Sequence, residues 1–206
     1  MDPIRKLCKG NGKVGKDEGR GLLMDIVLLC GSLRKQSYNR KLLNTIKEHA
    51  PSHWTFNEIA IERIPFYNAD VEESHVPDVV KALKEGMRHA DGLIIVSPEY
   101  NNGMPAVIKN ALDWAASPPQ DSPLPKKPIA LAGASPQGAG TVQAQTQLRQ
   151  TLIAIDAYVM SGPKLLVGQV HKRVDIEDEC ITEEETVKRI KKYVRAFDEW
   201  ITTFSE

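Results

Sequence analysis

One stretch of this chain joins a strand, a hydroxyl-rich turn and the start of a helix, and it restricts the fold more than any other. Residues Asp25–Cys30 form a short β-branched and aliphatic run, which is typical of a parallel strand buried on both faces. Leu42, Leu43 and Ile46 then recur at helical spacing. A buried strand that passes through a turn directly into a helix predicts an α/β protein.

The turn between these two elements has the composition of an anion site. Ser32 and Ser37 can hold ligand oxygens, the N–H groups at the helix start point outward, and Arg34 adds a fixed positive charge. The turn has neither the Gly-Lys-Ser/Thr of a P-loop nor the Gly-x-Gly-x-x-Gly of a dinucleotide site. Because a serine-rich turn with few glycines suits a terminal monophosphate better than a pyrophosphate, it predicts a mononucleotide, with FMN the leading candidate. In the alternative interpretation, Ser37 only caps the helix and the other two residues are ordinary turn residues.

Composition limits the partners that this chain can have. Its 206 residues fit one domain, and lysine plus arginine balance aspartate plus glutamate at 27 each. We therefore expect neither a nucleic acid nor a membrane as partner, and no apolar run approaches the length of a membrane span. The three cysteines and five histidines show no ligand spacing, which predicts no metal site and a reducing, cytoplasmic location.

The first 23 residues differ in composition from the rest of the chain. They are rich in glycine and lysine and have no sustained apolar face, so we expect residues 1–23 to be a disordered leader. An expression leader or an extended reading frame is favoured over a basic targeting arm, because Met24 directly precedes the first strand and no secretory apolar region is present. Residues 24–206 are expected to form a single domain.

Strand patterns alternate with helix patterns along the rest of the chain. The expected strands are Asp25–Cys30, Thr55–Ile61, Gly92–Ser97, Pro128–Ala134 and a short pair of segments at 158–160 and 165–167. The first expected helix begins after Ser37. The other four span Pro77–Ala90, Met104–Ala116, Thr141–Ile155 and Thr182–Phe204. This alternation predicts a doubly wound, five-stranded parallel sheet with helices on both faces and the flavodoxin-like order 2-1-3-4-5. In that order, ligands bind beyond the carboxyl ends of strands one, three and four.

The loops after strands three and four share the polar, conformationally special character of the first turn. In the loop Ser97–Pro105, Tyr100 offers an aromatic face to a flat ring, and the backbone of Asn101–Gly103 offers N–H donors. Pro98 and Pro105 restrict the shape of this loop. The alternative is a rigid turn in which Tyr100 packs against its own loop.

Three motifs give the chain from Met24 onward a family resemblance. They are Gly31–Asn39, the stretch from Ser97 through Pro105 to Lys109–Trp114, and Gly133–Pro136 followed by Gly140–Arg149. The chain resembles the NADPH-dependent FMN reductase family of flavodoxin-like proteins, which includes bacterial quinone, azo-dye and chromate reductases. The chain departs from the family pattern in two places, at Gln137–Ala139 and at Gln143, so the choice between NADH and NADPH stays open.

The resemblance implies a set of cofactor-binding residues. It assigns the FMN phosphate and ribityl chain to Ser32, Arg34, Ser37, Tyr38 and Asn39. It assigns the isoalloxazine to Pro98, Glu99, Tyr100, Asn101, Asn102 and Gly103, with Ser135 approaching from the third loop. It also implies a homodimer or homotetramer with the Met104–Ala116 helix near the interface.

The expected activity is that of an FMN-dependent NAD(P)H oxidoreductase. Hydride would pass from NADPH or NADH to bound FMN and then to a small-molecule acceptor such as a quinone, an azo compound, chromate or a flavin, with ping-pong kinetics. No catalytic side chain is expected, because the flavin carries the chemistry. The alternatives are a flavodoxin-like electron carrier, which the neutral charge disfavours, and a flavin-responsive interaction protein.

Two groups of residues could be mistaken for catalytic ones. Lys109 and Asp113 lie in a helical pattern whose apolar residues pack inward, so we expect Asn110, Asp113 and Trp114 to anchor a loop or to contact another subunit. Cys30 is expected to behave as a small hydrophobic residue.

Overall fold

The computed structural model describes residues 23–174 and 177–204. The expected leader therefore lies, apart from Leu23, outside the described residues. The strands are β1 (Met24–Cys30), β2 (Trp54–Glu58), β3 (Gly92–Val96), β4 (Pro128–Ala134), β5 (Tyr158–Val159) and β6 (Leu165–Val167). The helices are α1 (Tyr38–Glu48), α2 (Ala69–Ser74), α3 (Asp78–His89), α4 (Ala106–Ala116), α5 (Val142–Ala154) and α6 (Glu184–Thr203).

The strands form one parallel sheet in the order β2-β1-β3-β4-β5, which confirms the predicted fold. The registers place Leu28 opposite both Glu58 and Ile94, and Ile94 opposite Ala130. The last position in the sheet is shared, because β5 pairs with the start of β4 while β6 pairs with its end. The carboxyl ends of β1, β3 and β4 consequently lie side by side.

Each face of the sheet is covered by its own hydrophobic layer. One layer packs α1 and α6 on the strands, through residues such as Leu42 and Phe197. The other layer packs α3, α4 and α5, through residues such as Leu83, Leu112 and Leu148. All of β3 and β4 is buried, which explains why these two strands appear in the sequence as continuous apolar runs.

Two details of the second crossover differ from the sequence prediction. The second strand ends at Glu58 rather than Ile61, because Ile61–Arg63 forms a 3₁₀ turn that buries Ile61. Helix α2 was not predicted. Its N-cap Asn68 accepts a hydrogen bond from the Asp70 N–H at 2.9 Å, but the helix buries no residue and so has no apolar pattern to detect.

No described helix combines the length and apolar character that crossing a bilayer requires. Within residues 23–174 and 177–204, no three His, Cys, Asp or Glu side chains are grouped so that they could hold a metal ion.

Candidate functional site

The loops after β1, β3 and β4 meet in one cleft, as the topology predicts. Its lining residues come from all three loops and are Ser32, Arg34, Ser37, Tyr38, Asn39, Pro98, Glu99, Tyr100, Ala134, Ser135 and Pro136. The structure thus brings most of the predicted site residues together. The exceptions, Asn101, Asn102 and Gly103, continue the second loop beyond the lining.

The first loop ends at the start of α1, where Ser37 is the N-cap. Its hydroxyl oxygen accepts hydrogen bonds from the N–H groups of Asn39 and Arg40 at 3.2 and 3.3 Å. Ser32 and Ser37 are buried, whereas Arg34 is exposed beside them. Buried hydroxyls at the positive end of a helix dipole, next to an exposed guanidinium, form a donor set that suits a phosphate. The structure shows Ser37 capping α1, and its role in an anion site stays a prediction.

Asn39 ties the first loop to the end of β4. Its side-chain amide donates to the Ala134 carbonyl at 3.0 Å, and its amide oxygen accepts from the Ala134 N–H at 2.9 Å. Since the amide nitrogen and the amide oxygen both bond Ala134, Asn39 holds together the first loop and the end of β4, which form two walls of the cleft. Its contact with FMN stays a prediction.

The second loop is a miniature hairpin around Asn101 and Asn102. Tyr100 and Gly103 exchange two backbone hydrogen bonds of 3.0 Å, and the two asparagines between them have φ angles of 49° and 59°. Positive φ at both central positions is the signature of a type I′ turn, for which asparagine is well suited. The N–H groups of both asparagines donate no hydrogen bond within the described chain, so they are available as donors.

Helix α5 holds this hairpin from behind. The Glu99 carboxylate accepts from the N–H groups of Gln143 and Ala144 at 2.8 and 3.0 Å, and so caps the helix. Gln147, one turn further along, accepts from the Met104 N–H at 3.1 Å and donates to the Asn102 carbonyl at 3.3 Å. The Glu99 side chain is thus directed at α5, whereas Tyr100, Asn101 and Asn102 are exposed.

The third loop begins where three segments approach very closely. A Cβ atom on Gly133 would overlap both the Thr141 hydroxyl and the Ser97 carbonyl. Glycine is therefore required where the end of β4 passes between the second loop and the start of α5. Beyond it, Ser135 is buried, and its hydroxyl accepts from the Gln137 N–H at 3.1 Å.

An apolar pocket of about 440 Å³ adjoins the cleft and shares Arg34 and Tyr100 with it. The other lining residues are Gly31, Leu33, Pro105, Ala106 and Val107. Gly31 leaves room for Ile108, because a Cβ at this position would overlap the Ile108 side chain and force it to shift. The two cavities together offer a polar end and an apolar end to one elongated ligand or to two adjacent ones.

Lys109 and Asp113, which could be mistaken for catalytic residues, form an ion pair with each other on α4. Their neighbours Asn110 and Trp114 have structural roles. Trp114 is fully buried and donates to the Pro65 carbonyl at 2.8 Å, and Asn110 donates to the same carbonyl at 2.9 Å. Loop anchoring is thus the role observed for both. Burial raises the pKa of the Cys30 thiol, which keeps it in its neutral form.

Sequence reasoning did not find several residues that shape the site, among them Gln147 and the lining residues Leu33, Ala106 and Val107. Gln147 lies one helical turn from Gln143, and this spacing indicates that both residues lie on the same face of α5. The segment that it holds lies more than forty residues away in sequence, and no local pattern reveals such a pairing.

A parallel sheet of order 2-1-3-4-5 with a phosphate-type cradle and an outward aromatic ring at its carboxyl edge defines a flavodoxin-like, mononucleotide-binding α/β protein. The family model of NADPH-dependent FMN reductases matches residues 24–172. The chain belongs to this family, and it is accordingly an FMN-dependent NAD(P)H oxidoreductase.

Individual relatives span nearly the whole described chain. A 2-hydroxy-1,4-benzoquinone reductase of Burkholderia sp is 36% identical over 87% of this chain and 97% of its own length. A quinone reductase of Escherichia coli (strain K12) is 38% identical over 86% and 95%. Among solved structures, FerB, a flavoenzyme NAD(P)H:(acceptor) oxidoreductase from Paracoccus denitrificans, superposes with a TM-score of 0.82 at 34% identity, over 88% of this chain and 98% of its own.

Proposed function

We propose that this protein is an FMN-dependent NAD(P)H:quinone oxidoreductase. The observation that carries the proposal is the single cleft in which the loops after β1, β3 and β4 combine a cationic, hydroxyl-lined end with an exposed tyrosine. The quinone as acceptor is supported by the relatives that are named quinone reductases.

The donor set of the first loop fits the phosphate end of FMN. Ser32 and Ser37 would bind phosphate oxygens through their hydroxyl groups, and Arg34 would neutralise the charge. Tyr38, the first residue of α1, and Asn39 would border the ribityl chain. When bound, FMN supplies the redox chemistry, taking a hydride from NAD(P)H and passing electrons to the acceptor.

The second and third loops would orient the flavin ring. Pro98 and Tyr100 would support it from one side, and Ser135 would border it from the third loop. The N–H groups of Asn101 and Asn102, together with that of Glu99, would donate to its polar edge, and Gly103 would border the ring. Since α5 fixes this hairpin, these donors are held in place before the ligand arrives.

The order of events is also part of the proposal. The nicotinamide and the quinone would use the same open side of the cleft in turn, so that the oxidised coenzyme leaves before the acceptor enters. No side chain has to act as a strong acid or base for this. The kinetics would be ping-pong, with parallel lines in double-reciprocal plots at several fixed quinone concentrations.

An anaerobic mixing experiment tests the proposed function. NADPH or NADH should rapidly bleach the flavin absorbance of the FMN-loaded protein, and 1,4-benzoquinone should restore it. A flavin that neither coenzyme bleaches would contradict an oxidoreductase and would favour the electron carrier or the flavin-responsive interaction protein.

The assembly and location of the protein belong to the same proposal. We propose a homodimer or homotetramer in which α4 lies near the interface. Phe66, which is 80% exposed beside the segment that Trp114 anchors, supports an apolar contact there. A cytoplasmic location stays a prediction from the sequence.

A further inference from the structure

A fourth segment joins the carboxyl edge beside the three predicted loops. It is the turn Gly168–Arg173, which follows β6 and is called the fourth turn below. The Gln169 N–H donates to the Gln137 carbonyl at 3.0 Å, and the Val170 N–H donates to the Ser135 carbonyl at 3.2 Å. The fourth turn therefore extends the wall that the third loop begins.

The inner side of the fourth turn is fixed by packing and hydrogen bonds. Val170 is fully buried, and Arg173 donates to the Gly168 carbonyl at 3.0 Å and pairs with Glu183 at 3.1 Å. A Cβ on Gly168 would overlap the Gly138 carbonyl, so the two segments are in direct backbone contact. Residues on the outer side consequently keep a defined position relative to the third loop.

Lys172 lies on that outer side. Val170–Lys172 is a 3₁₀ turn that follows Gln169. The Lys172 N–H donates to the Gln169 carbonyl at 2.9 Å. Both side chains are exposed. This backbone hydrogen bond and the bond from Gln169 to Gln137 keep the base of the Lys172 side chain close to the third loop.

Over the second loop, the third loop and the fourth turn, the only lysine or arginine besides Lys172 is Arg173, which is paired with Glu183. The second loop, Ser97–Pro105, carries only the charge of Glu99, and the third loop, Ser135–Gly140, carries none. The first loop has Arg34, which we assign to the FMN phosphate. A nicotinamide dinucleotide brings a pyrophosphate and, in NADPH, a 2′-phosphate, and both are bound in proteins mainly by lysine, arginine and backbone N–H groups.

We propose that Lys172 binds a phosphate group of NAD(P)H and so replaces the cation that the third loop lacks. The proposal rests on the proposed function, because it assumes that a nicotinamide dinucleotide enters the cleft. It makes Lys172 a specificity-determining residue for the reducing substrate and gives it no role toward the quinone.

The test compares Lys172→Gln and Lys172→Arg with Lys164→Gln, all as FMN-loaded proteins. Lys164 is an exposed lysine directly before β6, at the opposite end of the same strand, so its replacement removes the same charge away from the site. NADP⁺ and NAD⁺ are titrated calorimetrically, and the rate of anaerobic flavin reduction is measured at increasing NADPH and NADH.

Lys172→Gln should weaken NADP⁺ binding about 5- to 10-fold, as expected for one exposed charge-assisted contact. It should slow flavin reduction by the same factor at low coenzyme concentration, while reoxidation by 1,4-benzoquinone is unchanged. Lys172→Arg should restore binding, and added salt should reduce the difference from the wild type. A loss confined to NADP⁺ and NADPH would indicate the 2′-phosphate, and a loss with all four coenzymes the pyrophosphate.

Equal coenzyme binding and equal reduction rates in Lys172→Gln and the wild type would overturn the proposal. So would an equal loss in Lys164→Gln, because that result would indicate net charge rather than a contact. These outcomes differ from a failure of the proposed function, in which the wild-type flavin itself would not be reduced by either coenzyme.

Discussion

Two aromatic residues near the site show how differently single side chains are used. Trp114 is fully buried and hydrogen-bonded, whereas Tyr100 is 48% exposed at the base of the hairpin turn, where it pairs with Gly103. An aromatic ring held in solvent forgoes favourable burial, which is explained if a flat ligand covers it. At the residue scale, the site therefore contains side chains such as Tyr100 that the fold keeps exposed to solvent, where a ligand can cover them.

Replacing Tyr100 by alanine should weaken FMN binding about tenfold, because stacking on an aromatic side chain is worth about 1–3 kcal/mol. Tyr100→Phe is the matched control and should bind FMN nearly as well as the wild type. Quenching of flavin fluorescence on titration into the flavin-free protein measures both affinities. Equal affinities in the two variants would remove Tyr100 from the ring site.

Charge reversal at Arg34 should reduce FMN affinity by more than tenfold, since the phosphate would then face a carboxylate. Lys35→Glu is the comparison, because it reverses a neighbouring exposed charge in the same turn. The same fluorescence titration, repeated with riboflavin, adds a second check. Riboflavin lacks the phosphate, so its affinity should not distinguish Arg34→Glu from Lys35→Glu.

At the scale of elements, α5 acts as the support of the second loop. Its N-terminus is capped by Glu99, and Gln147 bonds both sides of the turn at Asn102 and Met104. The hairpin that presents Tyr100 is thus braced by a helix on the other side of the third loop. Loop rigidity here comes from long-range hydrogen bonds as much as from the turn itself.

Gln147→Ala should loosen this hairpin and weaken FMN binding about fivefold, since two exposed hydrogen bonds are lost at a net value of roughly 1 kcal/mol. Gln143→Ala is the control, because only its backbone N–H takes part in the contact with Glu99. Hydrogen exchange at residues 100–104 should accelerate in Gln147→Ala alone. If both variants behave like the wild type, the helix does not brace the loop.

A second link between elements joins α3 to the segment after α4. Asp121 pairs with Lys84 at 3.0 Å and with Arg88 at 2.7 Å. The hydrogen bond from Lys84 and the charges of Lys84 and Arg88 hold the pKa of the Asp121 carboxyl below its usual range. A lowered carboxyl pKa stabilises the fold above the pKa of the unfolded state, and this contribution disappears as the pH falls through the folded pKa.

Asp121→Asn should therefore lower the free energy of unfolding by about 1 kcal/mol at pH 7, the upper end for a partly exposed pair. The difference from the wild type should be constant near neutrality and should shrink as the pH falls below about 4. Urea unfolding at a series of pH values measures it. A difference that does not change down to pH 2 would contradict the ionic origin of the link.

At the scale of the whole molecule, the sheet order decides where the site lies. Buried strands β3 and β4 occupy the middle, and the hydrophobic layers on both faces leave the carboxyl edge as the place where polar loops can gather. The apolar strands and the polar loops could both be recognised in the sequence. The sheet order and the position of the cleft were therefore predicted together.

Other parts of the molecule were not predictable, for reasons that particular residues illustrate. Asn39 has a side-chain amide that could donate a hydrogen bond to a ligand. This amide instead bonds the backbone of Ala134, 95 residues away in sequence. Lys172 lies in the turn after a strand of three residues, and the contacts of Gln169 with Gln137 and of Val170 with Ser135 hold that turn against the third loop. Both depend on tertiary pairing, which a local pattern does not encode.

The proposed assembly gives a prediction at this scale. Phe66→Ser should shift the protein toward smaller species in size-exclusion chromatography with light scattering, because it removes an apolar side chain from the face near α4. Leu23→Ser is the control, since Leu23 is 72% exposed directly before β1. An unchanged molar mass in both variants, or a monomeric wild type, would contradict an interface at Phe66.

The last position in the sheet is divided between β5 and β6, and this division affects how readily the protein aggregates. The two strands comprise two and three residues and are separated by residues 160–164. The Met160 N–H still donates to the Ile129 carbonyl of β4 at 2.8 Å, and regular pairing with β4 resumes only at Leu165. A strand of another molecule would therefore find no continuous row of backbone donors and acceptors on this edge of the sheet. This disfavours the edge-to-edge strand pairing that leads to aggregation. On the opposite flank, β2 is continuous but short, and the exposed Thr55, Asn57 and Glu58 protect it by polarity instead. Joining β5 to β6 into one uninterrupted strand should thus make the protein more prone to fibrillar deposits, even where its folding stability rises.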